Sequence, residues 1–133
     1  MIILALGSNL SSTFGDRFDN INLAISFIES HNISLIKKSS YYETPSYPDR
    51  SRPKYINVVI KISTNLSPEN LVPIIISIEE KLGRIRNYRN EPRTCDIDII
   101  DFNSQVMDFE YKNLSFTVPH KKLAHRNFVL IPL

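Results

Sequence analysis

The stretch Arg93-Thr-Cys-Asp-Ile-Asp-Ile99 predicts a β-strand, because branched apolar residues occupy every second position near its end. Successive side chains of a strand point to opposite faces of the sheet. Asp96 and Asp98 therefore share one face. The residues that alternate with them share the other face: Cys95, Ile97 and Ile99. The sequence thus predicts two carboxylates side by side on an otherwise apolar strand.

Paired carboxylates on one strand face repel each other unless a positive charge lies close to both. A hard cation with oxygen ligands supplies such a charge, and a neighbouring arginine is a second way to supply it. A third interpretation is a solvated edge strand whose exposed face is acidic. The pair alone leaves these three interpretations open.

The rest of the chain contains three more strand patterns and two helix patterns. An apolar run over residues 2–6 predicts a buried strand that ends in a turn at Gly7-Ser8-Asn9. Apolar residues at helical spacing predict an amphipathic helix from about Asp16 to Ser30. Two further strands are predicted over 33–43 and 55–64, separated by a proline-rich loop over 44–54.

The second helix has two possible starting points. Ser67 followed by Pro68 is typical of an N-cap and first helical residue, but Pro73 then lies inside the helix. A start at Asn70 instead puts Pro73 in the first turn, where no donor is needed. Both alternatives end the helix near Gly83.

These elements follow one another in the order β-α-β-β-α-β, which predicts an α+β, ferredoxin-like fold with both helices on one face of an antiparallel sheet. In this topology the first and third strands are central, and the acidic strand lies beside the first. The acidic pair, the proline-rich loop and the loop after Gly83 then converge on the helix-free face. Residues 103–118 are expected to form a short hairpin or loop.

Composition restricts the possible functions. With 133 residues we expect a single domain, and a net charge of +2 gives no general attraction to nucleic acid or membranes. One cysteine excludes an intrachain disulfide. The first residues lack a basic leader, and no run approaches the roughly 20 apolar residues that cross a bilayer. We therefore expect a cytoplasmic protein.

Positive charge is concentrated just before the acidic strand. Residues 84–93 contain four arginines and one acid, Glu91. Enzymes of phosphoryl transfer commonly use carboxylates that hold Mg²⁺ and arginines that neutralise phosphate oxygens. The chain has no Gly-x-x-x-x-Gly-Lys-Ser/Thr loop, so a nucleotide would be held in another way.

Several motifs spread over the chain together resemble the 6-hydroxymethyl-7,8-dihydropterin pyrophosphokinases of folate biosynthesis. The motifs are Leu6-Gly-Ser-Asn-Leu10, Tyr42-Glu-Thr-Pro45, Tyr55-Ile-Asn57, Ile78-Glu79 through Gly83-Arg-Ile-Arg86, Pro92-Arg-Thr-Cys-Asp-Ile-Asp98, Thr117-Val-Pro-His120 and Arg126-Asn-Phe128. The most specific is Pro-Arg-Thr-x-Asp-x-Asp. The resemblance implies a ferredoxin-like core and the transfer of pyrophosphate from ATP to the pterin hydroxymethyl group, with release of AMP.

The resemblance also implies roles for single residues. Asp96 and Asp98 would bind two Mg²⁺ ions, and Arg84 and Arg93 would contact the phosphates that move. The implied ATP-binding residues are Glu79, Arg84, Arg86, Arg93, Ile99, Thr117, His120 and Arg126. The implied pterin-binding residues are Thr44, Pro45, Ser46, Tyr55, Asn57 and Phe128, with the two aromatic rings stacking on the flat heterocycle.

The chain departs from the family pattern in a few places. Asn90 stands where an aromatic residue is usual, Ser115 where an arginine is usual, and Lys121 where an aromatic residue follows the histidine. These departures bear on the nucleotide contacts. We expect one pyrophosphokinase domain over 1–133, with less structure after Phe128 than most members have, and a monomer.

Two alternatives have different functions. The β-α-β-β-α-β order also describes an RNA-binding module, which needs two or three aromatic residues on the open sheet face. The third strand offers only Tyr55 there, and the acidic pair would repel RNA phosphates. The second alternative is a relative that binds pterin or nucleotide without turnover. Production of AMP from ATP and the pterin distinguishes the enzyme from both.

Overall fold

The structure, a computed structural model, describes residues 1–9, 12, 14–45, 54–83 and 95–105, and the backbone of the strands within 107–118. Its elements in chain order are β1 (Ile2–Ser8), α1 (Arg17–Glu29), β2 (Ser34–Lys38), β3 (Tyr42–Thr44), β4 (Tyr55–Ser63), α2 (Pro68–Lys81), β5 (Asp96–Phe102), β6 (Met107–Tyr111) and β7 (Leu114–Val118). Neither helix in these ranges is long and apolar enough to span a membrane.

The strands β2, β4, β1 and β5 form an antiparallel sheet in that order, and β3 also pairs with β4. The two central strands are therefore the ones that the sequence predicted, and the acidic strand β5 lies beside β1. The prediction of an α+β, ferredoxin-like fold is confirmed. The strands β6 and β7 pair with each other in antiparallel register, as in the hairpin predicted there.

The main core lies between the sheet and the two helices. Alternate residues of β4, namely Ile56, Val58, Ile60 and Ile62, pack there against Ile21 and Ile28 of α1 and Leu71 and Ile75 of α2. Cys95 also belongs to this core and is fully buried, as its strand position predicted. The opposite face of the sheet carries a second buried apolar cluster, Ile3, Ala5, Val59 and Ile100. Both helices therefore pack on one face, and the other face remains for the candidate site.

The predicted strand over 33–43 is wrong in one respect, because it is interrupted into β2 and β3. Both pieces pair with the same edge of β4. Between β2 and β3, two hydrogen bonds of Ser39 take the place of regular strand pairing. Its N–H donates to Val59 O at 2.9 Å, and its Oγ accepts from Val59 N at 2.9 Å. A serine side chain that bonds to the backbone competes with regular pairing, so the break leaves the hydrogen-bonding groups of Val59 satisfied.

Both helices begin at recognisable caps. Asp16 caps α1, since its side chain accepts from Asp19 N while the Asp19 side chain accepts from Asp16 N. In α2, Ser67 is the N-cap and Pro68 the first helical residue, so Pro73 lies inside the helix. The first of the two predicted starts is therefore correct. The helix ends where Gly83 adopts φ +88°, as the sequence indicated.

The first strand is longer than predicted. We expected it to end before a turn at Gly7, but β1 continues through Ser8. Gly7 pairs with Asn57 on one side and with Asp96 on the other. A glycine inside a strand often marks a close approach of other groups to the backbone.

Candidate active site

Asp96 and Asp98 lie on the sheet face that carries no helix, and both are half-buried. Ile97 and Ile99, which alternate with them, are buried in the main core. Residues two apart on a strand are about 6.5–7 Å apart along the chain. The carboxylates are therefore close enough for one bound cation or a pair of cations to contact both. The predicted orientation of the pair is confirmed.

A row of three residues crosses the sheet beside this pair. Asn57 on β4 pairs with Gly7 on β1, and Gly7 pairs with Asp96 on β5. Neighbouring strands are about 4.8 Å apart, so the backbones at Asn57 and Asp96 are about 10 Å apart. Gly7 contributes no side chain to the space between them. The row therefore joins the Asn57 amide to the acidic pair through a residue that has no side chain.

Gly7 has to be small because two side chains lie over it. A Cβ atom at Gly7 would lie 3.2 Å from Asn57 Oδ1 and 3.4 Å from Tyr55 Cδ1. The first distance is shorter than ordinary van der Waals contact. Tyr55 and Asn57 thus share one face beside Gly7, as the alternation of β4 predicted. No site role was predicted for Gly7, although a glycine next to an apolar strand is a usable signal for a close approach.

The Asn57 side chain is 6% exposed, and its amide nitrogen is directed at β3. Nδ2 donates to Thr44 Oγ1 at 2.9 Å and to Tyr42 O at 3.3 Å, and it is 3.5 Å from Tyr55 O. These bonds fix the amide with its oxygen over Gly7. A carbonyl oxygen in this position can accept a hydrogen bond from an N–H group of a ligand.

The residues around Asn57 are partly enclosed. Thr44 is half-buried at the end of β3 and pairs with Tyr55, while Pro45 next to it is exposed. Burial raises the pKa of the Tyr42 phenol from 10.0 to about 12. Tyr42 therefore stays protonated and neutral over the physiological pH range, and it adds no charge to this side of the site.

Two contacts that the sequence analysis missed hold the elements around the site. Asn20 on α1 is fully buried; its Nδ2 donates to Ser8 Oγ at 3.3 Å, and its Oδ1 accepts from Ser12 Oγ at 2.5 Å. This ties the end of β1 to α1. Arg17 Nη1 donates to Lys54 O at 2.8 Å, immediately before Tyr55. An asparagine in the apolar row of α1 was the only local signal for the first contact.

Two residues that we expected near the nucleotide lie on the core side of β5. Ile99 is buried there and pairs with Leu4. Glu79 on α2 is 1% exposed, and its Oε2 accepts from Ile97 N at 2.8 Å. The structure therefore brings Tyr55, Asn57, Asp96 and Asp98 to one face, with Thr44 at its border, but it puts the side chains of Ile99 and Glu79 on the other side of the strand.

The remaining predicted site residues are outside the described part of the chain. These are Ser46, Arg84, Arg86, Arg93, His120, Arg126 and Phe128. Thr117 is described through its backbone only and pairs with Asp108 in the hairpin. Their roles stay predictions.

The donor set on β5 restricts which metal it can hold. Among the described residues there is no group of three or more His, Cys, Asp or Glu side chains that could enclose an ion. Mg²⁺ does not require such an enclosure, since it is usually held by one or two carboxylates together with water and substrate phosphates. Asp96 and Asp98 are therefore suited to Mg²⁺ that arrives with a phosphate ligand.

The chain is similar to known proteins over nearly its whole length. Residues 3–133 match the family model described as 7,8-dihydro-6-hydroxymethylpterin-pyrophosphokinase. The chain is 36% identical over 131 residues to a 2-amino-4-hydroxy-6-hydroxymethyldihydropteridine pyrophosphokinase of Bacillus subtilis, covering 98% of the chain and 74% of that relative. It is 34% identical over 131 residues to the Haemophilus influenzae protein of the same name, covering 98% and 77%.

A longer relative contains the same region as one part of a larger protein. The folic acid synthesis protein FOL1 of Dictyostelium discoideum is 35% identical over 133 residues, which is 100% of this chain and 19% of that relative. The matched region therefore also occurs within a much longer polypeptide whose printed name refers to folic acid synthesis.

Proposed function

This chain belongs to the 7,8-dihydro-6-hydroxymethylpterin-pyrophosphokinase family, and on that basis we propose how its residues bind the substrates and assist the transfer. It is a pyrophosphokinase of folate biosynthesis. In the proposed reaction ATP is the donor, 6-hydroxymethyl-7,8-dihydropterin is the acceptor, and AMP is the second product. The observation that carries the proposal is the row Asn57–Gly7–Asp96, which joins the Asn57 amide to the acidic pair.

The bond changes of this reaction define what the site has to do. The hydroxymethyl oxygen attacks the β-phosphorus of ATP, and a new oxygen–phosphorus bond forms. The bond from the β-phosphorus to the oxygen that bridges the α- and β-phosphates breaks, and AMP leaves with that oxygen. The hydroxyl proton is lost to solvent. Such a transfer depends mainly on positioning and on charge stabilisation.

We propose that Asp96 and Asp98 hold two Mg²⁺ ions together with the triphosphate. The two carboxylates are half-buried on one strand face, and their partners on β1 are the small residues Gly7 and Ala5. When bound, magnesium neutralises the phosphate oxygens and the charge that develops on the leaving group. The carboxylates fix the position of that positive charge relative to the sheet, so the chain determines where the β-phosphorus can lie.

The arginines between α2 and β5 complete the proposed phosphate site. Arg84 and Arg93 would contact the phosphates that move, because a guanidinium group binds phosphate oxygens in pairs. Arg86, Thr117, His120 and Arg126 are proposed to hold the rest of the nucleotide. These assignments derive from the sequence motifs alone.

The pterin is proposed to bind against Tyr55 and Asn57, on the sheet face beside Gly7. Tyr55 and Phe128 would stack on its two faces, and Asn57 Oδ1 would accept from an N–H group at its rim. Thr44, Pro45 and Ser46 would form the edge of the pocket. The hydroxymethyl group would then point along the row toward Asp96, which lies one strand spacing from Gly7 and about two from Asn57. Because one chain supplies every proposed residue, we propose that a monomer is sufficient.

A product assay tests the function. Purified protein is incubated with ATP, Mg²⁺ and 6-hydroxymethyl-7,8-dihydropterin, and the nucleotide products are separated by chromatography. We expect AMP and the pterin diphosphate in equal amounts, with none formed when the pterin is omitted. Formation of ADP, or the absence of any pterin-dependent product, would contradict the proposal.

A further inference from the structure

Glu79 is an acid at a core position of α2, and it contacts the strand that carries the acidic pair. Its side chain is 1% exposed, whereas Glu80 next to it is exposed. Glu79 Oε2 accepts a hydrogen bond from the backbone N–H of Ile97 at 2.8 Å, in a buried setting. Hydrogen bonds to a charged acceptor are roughly twice as strong as neutral ones.

The bonded residue lies between the two proposed metal ligands. Ile97 separates Asp96 from Asp98, and it pairs with Leu6 of β1. In the described sheet β5 is an end strand, with β1 as its one neighbour. An N–H group that points outward from an end strand needs a hydrogen-bond acceptor outside the sheet. For Ile97 that acceptor is the Glu79 side chain of α2. The direction of both carboxylates is set by the backbone that this bond holds.

A buried acid is costly at such a position. Removing a carboxylate from water carries a large penalty unless it is hydrogen-bonded. An apolar side chain of similar size would pack in the same place, but it would leave the Ile97 N–H group without this acceptor. The acid is therefore suited to a role in the geometry of β5.

We propose that Glu79 is a positioning residue: its carboxylate fixes β5 at Ile97 and thereby aims Asp96 and Asp98 at the metal ions. This inference rests on the proposed metal role of the pair. It differs from the role implied by the sequence, in which Glu79 contacts the nucleotide. The two roles predict different effects of shortening the side chain and of neutralising it.

Two conservative variants separate these roles. Glu79→Gln keeps the length of the side chain and a carbonyl oxygen that can accept from Ile97 N–H, but it removes the charge. Glu79→Asp keeps the charge but shortens the reach by one methylene. Positioning through the hydrogen bond predicts that Glu79→Asp is the more damaging variant. The matched controls are Glu80→Gln and Glu80→Asp, which make the same changes at the exposed neighbour.

The main measurement is calorimetric binding of α,β-methylene-ATP, an analogue that cannot release AMP, with Mg²⁺ and with EDTA. In Glu79→Asp we expect the Mg²⁺-dependent gain in affinity to fall by about 10- to 100-fold, as for other residues that orient metal ligands. Affinity in EDTA should equal that of the wild type. Glu79→Gln and both Glu80 controls should retain most of the gain.

Hydrogen exchange by NMR gives a second readout that needs no activity. The Ile97 amide proton should exchange faster in Glu79→Asp than in the wild type, and it should remain protected in Glu79→Gln. An equal loss of analogue affinity in Mg²⁺ and in EDTA would overturn the proposal in favour of a direct nucleotide contact. Unchanged protection of Ile97 in Glu79→Asp would also overturn it.

The positioning role of Glu79 and the proposed enzymatic function can fail independently, and the experiments distinguish the two failures. If the wild-type protein makes no AMP from ATP and the pterin, the enzymatic assignment fails, but the exchange rate of Ile97 still reports whether Glu79 holds β5. If the wild type is active and Glu79→Asp behaves like the Glu80 controls, the enzymatic assignment stands and the positioning role fails.

Discussion

Replacing Gly7 by alanine tests whether Asn57 binds the pterin from its observed position. The new Cβ would lie 3.2 Å from Asn57 Oδ1, so the amide has to move by a few tenths of an ångström. It cannot retreat toward β3, because its Nδ2 is already 2.9 Å from Thr44 Oγ1. The amide must instead rotate away from its preferred geometry, and the oxygen over residue 7 is displaced.

The size of the effect follows from this rotation. Holding a side chain about 30° from its preferred rotamer costs about 0.5–1.5 kcal/mol. Since about 1.4 kcal/mol corresponds to a factor of ten, the KM for the pterin should rise by about 2- to 12-fold. The KM for ATP should stay near the wild-type value, because Asn57 lies on the opposite side of Gly7 from Asp96.

The fold should tolerate the same substitution. Gly7 does not have a positive φ, so alanine can adopt its backbone conformation. A glycine-to-alanine substitution at a compatible position stabilises the folded state by about 0.4–1 kcal/mol, because it lowers the conformational entropy of the unfolded chain. This gain offsets much of the cost of the new contact with Asn57. Urea unfolding should therefore give a change within about 1 kcal/mol.

The assay is steady-state kinetics of AMP release for Gly7→Ala, Asn57→Ala and the double variant. If Gly7→Ala acts through the amide, the double variant should have the pterin KM of Asn57→Ala alone, because there is no amide left to displace. Gly83→Ala is the stability control: its φ of +88° makes alanine strained there, while a Cβ would meet nothing within 4 Å. Full additivity of the two substitutions would refute the reasoning, as would an equal rise of both KM values in Gly7→Ala.

Three other substitutions test separate parts of the site. Asp98→Ala should lower kcat/KM by more than about 100-fold while the circular dichroism spectrum stays native, since a proposed metal ligand is lost. The control Asp101→Asn, a change on the same strand, should leave turnover near wild type. Unchanged activity in Asp98→Ala would contradict the metal role. Asn57→Ala should raise the KM for the pterin much more than that for ATP, and an equal effect on both would contradict the pocket assignment. Tyr42 loses its proton near pH 12 in the folded state but near pH 10 in the unfolded state, so its contribution to stability is complete below pH 10 and is lost as the pH rises to 12. Tyr42→Phe should therefore show a smaller loss of unfolding free energy over that interval, and parallel curves for the two proteins would contradict the raised pKa.

Local periodicity was sufficient for much of the fold. The alternation in β4 and β5 predicted which side chains enter the core and which share the open face, and Asn57 and Asp96 lie where it put them. Start signals are also local: the Ser67-Pro68 pair marked the start of α2, and helical periodicity put the start of α1 at about Asp16. These predictions succeed because the direction of a side chain depends on its own backbone and on its nearest neighbours in the chain.

Cross-strand relations could not be predicted in the same way. The pattern at Gly7 predicted a turn, yet pairing with Asn57 and Asp96 keeps that residue in β1. The pattern over 33–43 predicted one strand, whereas Ser39 takes over the hydrogen bonds of Val59 and divides that strand. Each of these outcomes depends on a partner about 20 to 90 positions away along the chain.

The sequence by itself indicated the candidate site residues and the side of a strand or helix on which they lie. The tertiary structure decided how they are arranged: Asn57 and Asp96 lie in one row on either side of Gly7, and Glu79 contacts the backbone of Ile97. The physical reason is that the direction of a side chain depends on its own strand or helix, whereas strand register and burial are set only when several elements pack together. The acid on α2 is the clearest example, because its position on the helix is local but its hydrogen bond exists only after α2 has packed on β5.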